Sequence, residues 1–200
     1  MARIRQTHVP ALFPESGPVR LILYGEAPGP KGADQSSIPF WGDRAGVQVY
    51  RALERTGMAE VPPEAFQAWD GARFRELGLR PRLMGAALSN AFPHCPTSDG
   101  QTFRAPSHAE LRNPENLERI LMEIRDAAHR CEGWLRVVTL GKRAQWVMTR
   151  LREVPPFELF CLPHPSAQGL LQAAPGKGKG LRLKDLQAAW EQDLASLLRP

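Results

Sequence analysis

The sequence predicts an α/β fold with three layers, α/β/α, built on a central, mostly parallel four-stranded sheet. Two observations carry that expectation. Four short runs of aliphatic and β-branched residues each end at a glycine, an asparagine or a proline, as strands buried on both faces do. Between them lie stretches whose apolar residues recur at helical spacing, and strands alternating with helices imply a parallel sheet covered on both sides.

The first run, Val19 to Tyr24, stops at Gly25 and opens into a proline- and glycine-rich stretch from Glu26 to Gly42. From Ala45 to about Thr56, Val49, Ala52 and Leu53 keep helical spacing, and Gly57 supplies a stop. Phe66, Trp69 and Phe74 suggest one or two further helices, broken by Gly71, Gly78 and Pro81. Leu83 to Ala91 reads as the second strand. Asn113 caps the clearest helix, Pro114 occupies its first turn, and Leu117, Ile120, Leu121, Ile124, Ala128 and Cys131 form its apolar stripe. Leu135 to Leu140 is a third strand leaving through Gly141, and Lys142 to Glu153 a helix halted by Pro155 and Pro156. Phe157 to Leu162 is the fourth strand, followed by a basic loop and a last amphipathic helix carrying Leu183, Leu186, Trp190, Leu194 and Leu197.

A chain of 200 residues fits a single domain spanning 1–200. With 42% hydrophobic and 24% charged residues, wholesale disorder is excluded. No apolar run reaches the roughly 18 residues of a membrane span, and the basic N-terminus leads into no apolar segment of a secretory signal. Cys95, Cys131 and Cys161 are scattered and odd in number, which fits a reducing cytoplasm and neither a disulfide framework nor a zinc ribbon. The net charge of +5 favours a polyanionic partner without identifying one. Nothing in the pattern asks for a cofactor or a metal, and a monomer is expected.

Parallel strands present all their carboxyl ends on one edge, where ligands bind in such sheets. Three motifs fall there. Gly25-Glu26-Ala27-Pro28-Gly29, continuing to Pro39-Phe40-Trp41-Gly42 and Arg44-Ala45-Gly46, follows the first strand. It can cradle an anion with backbone amides, and an ordinary strand-to-helix turn with a solvated Glu26 explains it equally well. Ser89-Asn90 ends the second strand; its amide offers both donor and acceptor to a base edge, or caps a turn before Pro93. His164, stiffened between Pro163 and Pro165, can point a donor at developing charge, or can be a structural loop histidine.

Together these motifs resemble the uracil-DNA glycosylase superfamily from about Val19 to Ser166, with the first motif most like its thermostable Glu-Ala-Pro-Gly branch. Val138-Thr139-Leu140-Gly141 also resembles the strand before that family's penultimate helix. The resemblance departs in three places. The branch holds an iron–sulfur cluster through four cysteines, for which this chain lacks the N-terminal pair. An arginine usual after the third motif is replaced by Ala167-Gln168-Gly169. Ala27 stands where many relatives carry the water-orienting Asp or Asn.

The resemblance implies removal of uracil or another deaminated base from DNA by hydrolysis of the N-glycosidic bond after base flipping. Glu26 would hold the attacking water and His164 would stabilise the departing base. Gly25, Ala27, Phe40 and Asn90 would bind the base, with Trp41 the core aromatic beside Phe40. Pro28, Gly29, Pro165, Ser166, Lys177, Lys179 and Arg182 would touch the DNA strand, with Lys184 nearby. A neighbour within Ala91 to His94 is expected to pin the Asn90 amide against flipping, so that uracil is told from cytosine. The alternatives are an inactive DNA-binding relative of the same fold and, more weakly, an enzyme acting on small nucleotides or bases.

Overall fold

The computed structural model describes residues 3–152 and 154–198. Its elements run β1 (Leu21–Gly25), α1 (Ala33–Ser36), α2 (Gly46–Arg55), β2 (Ala59–Glu60), a 3₁₀ turn (Pro63–Gln67), α3 (Gly71–Leu77), β3 (Arg82–Leu83) and β4 (Ala86–Asn90). They continue as α4 (His108–Leu111), α5 (Pro114–His129), β5 (Leu135–Leu140), α6 (Lys142–Met148), β6 (Phe157–Leu162), α7 (Ala167–Ala173), a second 3₁₀ turn (Pro175–Gly178) and α8 (Leu183–Leu198).

The main sheet has the order β4-β1-β5-β6, and every pair in it is parallel. Alternate residues of β1 face opposite layers, as the two-residue strand period requires. Leu21 and Leu23 pack with Val49 and Leu53 of α2 and with Leu194 of α8. Ile22 and Tyr24 pack with Ile120 and Ile124 of α5 and Val147 of α6. The predicted three layers are therefore present. The chain crosses from β1 to β4 on one side and then back past β1 to β5, so a crevice opens at the carboxyl ends of the central strands.

Local chemistry accounts for most element ends. The Asn113 side chain accepts from the Glu115 amide at 3.0 Å and starts α5, with Pro114 in its first turn. Asp70 does the same for α3 through the Arg73 amide at 2.9 Å.

Two predicted elements are corrected. The run from Leu83 to Ala91 is not one strand. Gly85, at φ +101°, breaks it, so that Arg82–Leu83 pairs antiparallel with Ala59–Glu60 and only Ala86–Asn90 joins the main sheet. The helix expected from Lys142 to Glu153 ends at Met148; the Thr149 hydroxyl donates back to the carbonyls of Gln145 and Trp146, both at 3.1 Å, and competes with further turns. Its predicted last residue, Glu153, lies outside the described residues. Three short helices, α1, α4 and α7, were not expected from the pattern. Among the described residues no helix is long and apolar enough to cross a membrane.

Candidate active site

All four parallel strands leave on one edge, and each exit delivers a residue singled out in the sequence. β1 gives Gly25 and Glu26, β4 gives Asn90, β5 gives Gly141, and β6 leads through Pro163 to His164. The exits of β1 and β4 stay zipped beyond the regular ladder. Ala91 N–H donates to Gly25 O at 2.8 Å, and Phe92 N–H to Glu26 O at 3.0 Å.

Glu26 and His164 share one groove of about 760 Å³, which is also lined by Gly141, Lys142, Arg143 and Trp146. The Glu26 carboxylate is seated by the backbone N–H of Arg143, 3.2 Å from Oε1, at the start of α6. Gly141 makes the room: a Cβ there would lie 2.5 Å from Glu26 Oε1. His164 is set from below. Trp190 of α8 donates its indole N–H to Pro163 O at 2.8 Å, and Gly169 of α7 passes so close that a Cβ would meet His164 O at 2.3 Å. A side chain at position 169 therefore has no space, whereas Ala167 and Gln168 are exposed.

The Ser166 backbone N–H donates to His164 Nδ1 at 3.2 Å. Nδ1 is then an acceptor, and in the neutral ring the proton sits on Nε2. Burial pushes the His164 pKa below its ordinary 6.5, only partly opposed by the Glu26 charge, and so favours that neutral ring. The arrangement offers an Nε2–H donor and a carboxylate in the same groove, which suits hydrolysis with a leaving group that gains negative charge.

Next to the groove is a second cluster, Gly25, Phe40 and Asn90. A Cβ on Gly25 would lie 2.6 Å from Asn90 Oδ1 and 2.7 Å from Phe40 Cε1, so only glycine lets the amide and the ring meet there. Phe40 adopts φ +63°, and its carbonyl leaves no space for a side chain at Gly46. Trp41 is fully buried among Tyr50, Trp69 and Phe74, and Phe40, at 5% exposed, is buried in the same core. The expected pin on the Asn90 amide is absent among the described residues. Asn90 is 2% exposed and its Nδ2 has no protein partner. His94 instead meets Gln6 O through Nδ1 at 3.1 Å.

Asp43 holds the first-motif loop in shape, accepting from the amides of Gly29 at 3.2 Å and Ala33 at 3.3 Å. Burial raises its pKa from 3.8 to about 6, against the lowering effect of those amides. An acid with a raised native pKa holds a proton that the unfolded chain releases, so this group's contribution to stability falls as pH rises from about 4 to 6. Asp43→Asn keeps an acceptor for both amides and removes the titration. It is expected to be about 1–2 kcal/mol more stable than wild type at pH 7 and no more stable at pH 4, read from melting temperatures across that range.

None of the remaining predicted contacts is among the residues that line the groove. Ala27 and Gly29 are half-buried, and Pro28 and Pro165 are buried. The Ser166 hydroxyl caps α7, accepting from Gly169 N–H at 3.1 Å, with its own O–H still able to donate. Lys177 is exposed on the 3₁₀ turn that follows α7, and Lys179 is exposed directly after it. Arg182 pairs with Asp185 at 2.8 Å on the exposed start of α8. Sequence reasoning missed Lys142, Arg143, Gln172 and His108 of the groove. The basic pair directly after a strand exit was the available signal; the stacking of His108 on Trp146, at 4.2 Å, had none. Cys95, Cys131 and Cys161 are free, and no three His, Cys, Asp or Glu side chains converge as metal ligands would among the described residues.

Comparison with known proteins agrees with this geometry. Over 72 residues the chain is 35% identical to a type-5 uracil-DNA glycosylase of Mycobacterium leprae (strain TN), covering 36% of this chain and 31% of that protein. Type-5 uracil-DNA glycosylases of Mycobacterium bovis and Mycobacterium tuberculosis are each 43% identical over 72 residues, covering 36% of this chain and 26% of theirs. The matches thus span about a third or less of the curated relatives' length. Residues 14–192 match the uracil DNA glycosylase superfamily as a whole, and with nearly the full chain covered, the protein belongs to that superfamily.

Proposed function

We propose that the protein is a monofunctional DNA glycosylase that takes uracil, or another deaminated base, out of the DNA stack and hydrolyses its N-glycosidic bond, starting base-excision repair. The observation that carries this is the shared groove: a carboxylate, Glu26, and a neutral histidine donating from Nε2, His164, beside the unpartnered amide of Asn90. The names of the type-5 relatives support the same chemistry. We take DNA as the partner, a monomer as the working form and the cytoplasm as its place.

In this scheme the bond between C1′ and the base nitrogen breaks with its electron pair going to the base. His164 Nε2–H stabilises the charge that grows on the base carbonyl. Water attacks C1′ and gives its proton to Glu26, and the sugar keeps the hydroxyl. The Arg143 amide fixes Glu26 Oε1 and leaves Oε2 without a protein partner among the described residues, suited to hold that water. Asn90 reads the base by offering its amide nitrogen to a carbonyl oxygen. Lys177 and Lys179, next to the helix whose Gly169 and Gln172 line the groove, supply charge for flanking phosphates.

The test is a panel of single- and double-stranded oligonucleotides, each with one uracil, hypoxanthine, xanthine or undamaged cytosine, scored for abasic sites. Wild type is expected to release uracil and to spare cytosine. Asn90→Asp is expected to lose uracil release by about tenfold or more, because a carboxylate repels the carbonyl oxygen it must face and leaves it unpaired. Tight binding with no release of any base would instead support an inactive DNA-binding relative. Unchanged release and discrimination in Asn90→Asp would remove the base-reading role.

A further inference from the structure

The strand end that carries Asn90 is gripped from behind by a buried polar hub on α5. Arg119 Nη2 donates to Asn90 O at 2.8 Å and to Asn116 Oδ1 at 2.9 Å, and Nη1 donates to Ser89 Oγ at 3.2 Å and to Glu123 Oε1. Glu123 Oε2 accepts from Tyr24 O–H at 2.9 Å and from Ser89 O–H at 2.8 Å. Asn116 donates to Ala91 O at 2.8 Å. Tyr24 and Ser89 are fully buried, and Arg119 and Glu123 expose only 16% and 10% of their side chains.

Each residue from 89 to 91 is therefore held at a different atom. Ser89 is bound through its hydroxyl, Asn90 and Ala91 through their carbonyls. Side chains alternate along a strand, so Ser89 points into the hub while Asn90 points to Phe40 and Gly25 on the other side. Arg119 cannot reach a base there. Among the described residues the Asn90 Nδ2 has no protein partner, so the amide's direction is set by the backbone that bears it and by the walls of Phe40 and Gly25. The amides of Ala91 and Phe92 then tie the same segment to the carbonyls of Gly25 and Glu26, so the hub also backs the catalytic loop.

We propose that Arg119 is a positioning residue for base reading, with Glu123 and Asn116 holding its guanidinium, and that this hub does from behind what a hydrogen bond to the Asn90 amide would do from beside it. The inference rests on Asn90 as the base reader. Arginine is needed because its planar fork serves several acceptors at once, whereas a lysine ammonium is a single compact charge.

The experiment is a double-mutant cycle in the full chain: Arg119→Lys and Asn90→Ala, singly and together, with single-turnover uracil release and melting temperature measured for each. Arg119→Lys is expected to lower release about tenfold or more in the Asn90 background, as small misplacements of a positioning group do. In the Asn90→Ala background it is expected to change release less than about twofold, since there is no reader left to misplace. Glu123→Gln is expected to show the same dependence on Asn90 with a smaller loss, and replaces Arg119→Lys in the cycle if that variant does not fold. If wild type releases no base, the cycle is read in the Kd ratio of uracil- over cytosine-containing single strands. Equal losses in both backgrounds, with Asn90→Ala itself deficient, would mean a merely structural hub and overturn the proposal alone. If Asn90→Ala releases or binds uracil strands as wild type does, the base-reading assignment falls and this inference falls with it.

Discussion

His164→Ala is expected to slow uracil release by about 10²–10³-fold, roughly 3 kcal/mol of transition-state stabilisation, while leaving the affinity for uracil-containing DNA within about threefold of wild type. The loss falls on the chemical step because the donor is aimed at charge that exists only as the bond breaks. The Ser166 N–H that fixes the ring at Nδ1 also decides how the site responds to acid. A second proton on the ring would place two N–H groups against each other. The native ring resists protonation and the unfolded one does not, so the stability this site contributes is present above pH 6.5 and is lost as pH falls below it. His164→Ala should flatten that part of the pH–stability curve, measurable by thermal unfolding between pH 7 and pH 5.

Glu26→Gln is expected to reduce release by about 10²–10⁴-fold through kcat. Glutamine keeps the oxygen that accepts from the Arg143 amide, so the side chain stays seated and the melting temperature should not move. What it loses is the ability to take the proton from water. Single-turnover kinetics at saturating enzyme separates the two effects. An unchanged rate in both His164→Ala and Glu26→Gln would take the chemistry away from this groove.

The architecture was legible because its punctuation is local. Gly25, Gly141 and Pro163 mark strand exits through backbone geometry alone, and Asn113 with Pro114 marks a helix start the same way. The parallel order then places Glu26, Asn90 and His164 on one edge with no knowledge of any contact. What stayed hidden depends on partners distant in the chain. Arg119 and Glu123 are four residues apart on a helix, a spacing that any surface ion pair also has; the packing of the β4 end over them makes the pair buried and consequential. Asp43 looks like a loop carboxylate until the amides of Gly29 and Ala33 close on it. The break at Gly85 was missed because Leu83 to Ala91 is apolar on both sides of the glycine, and composition cannot show where one strand changes partner.

The unpartnered Asn90 amide bears on turnover as well as on recognition. A buried donor without an acceptor costs roughly 1–3 kcal/mol, and that cost is relieved by any planar group that brings it a carbonyl oxygen. A base does so attached to its sugar, and equally once it has been cut free. On the proposed reading, cleavage would leave the detached base holding the same hydrogen bond, between Phe40 and the donor of His164, with only the tether to DNA gone. A pocket that took a damaged base by satisfying its own amide would by the same physics be a pocket for its product, so free base should compete with DNA and its departure should set the pace of later rounds.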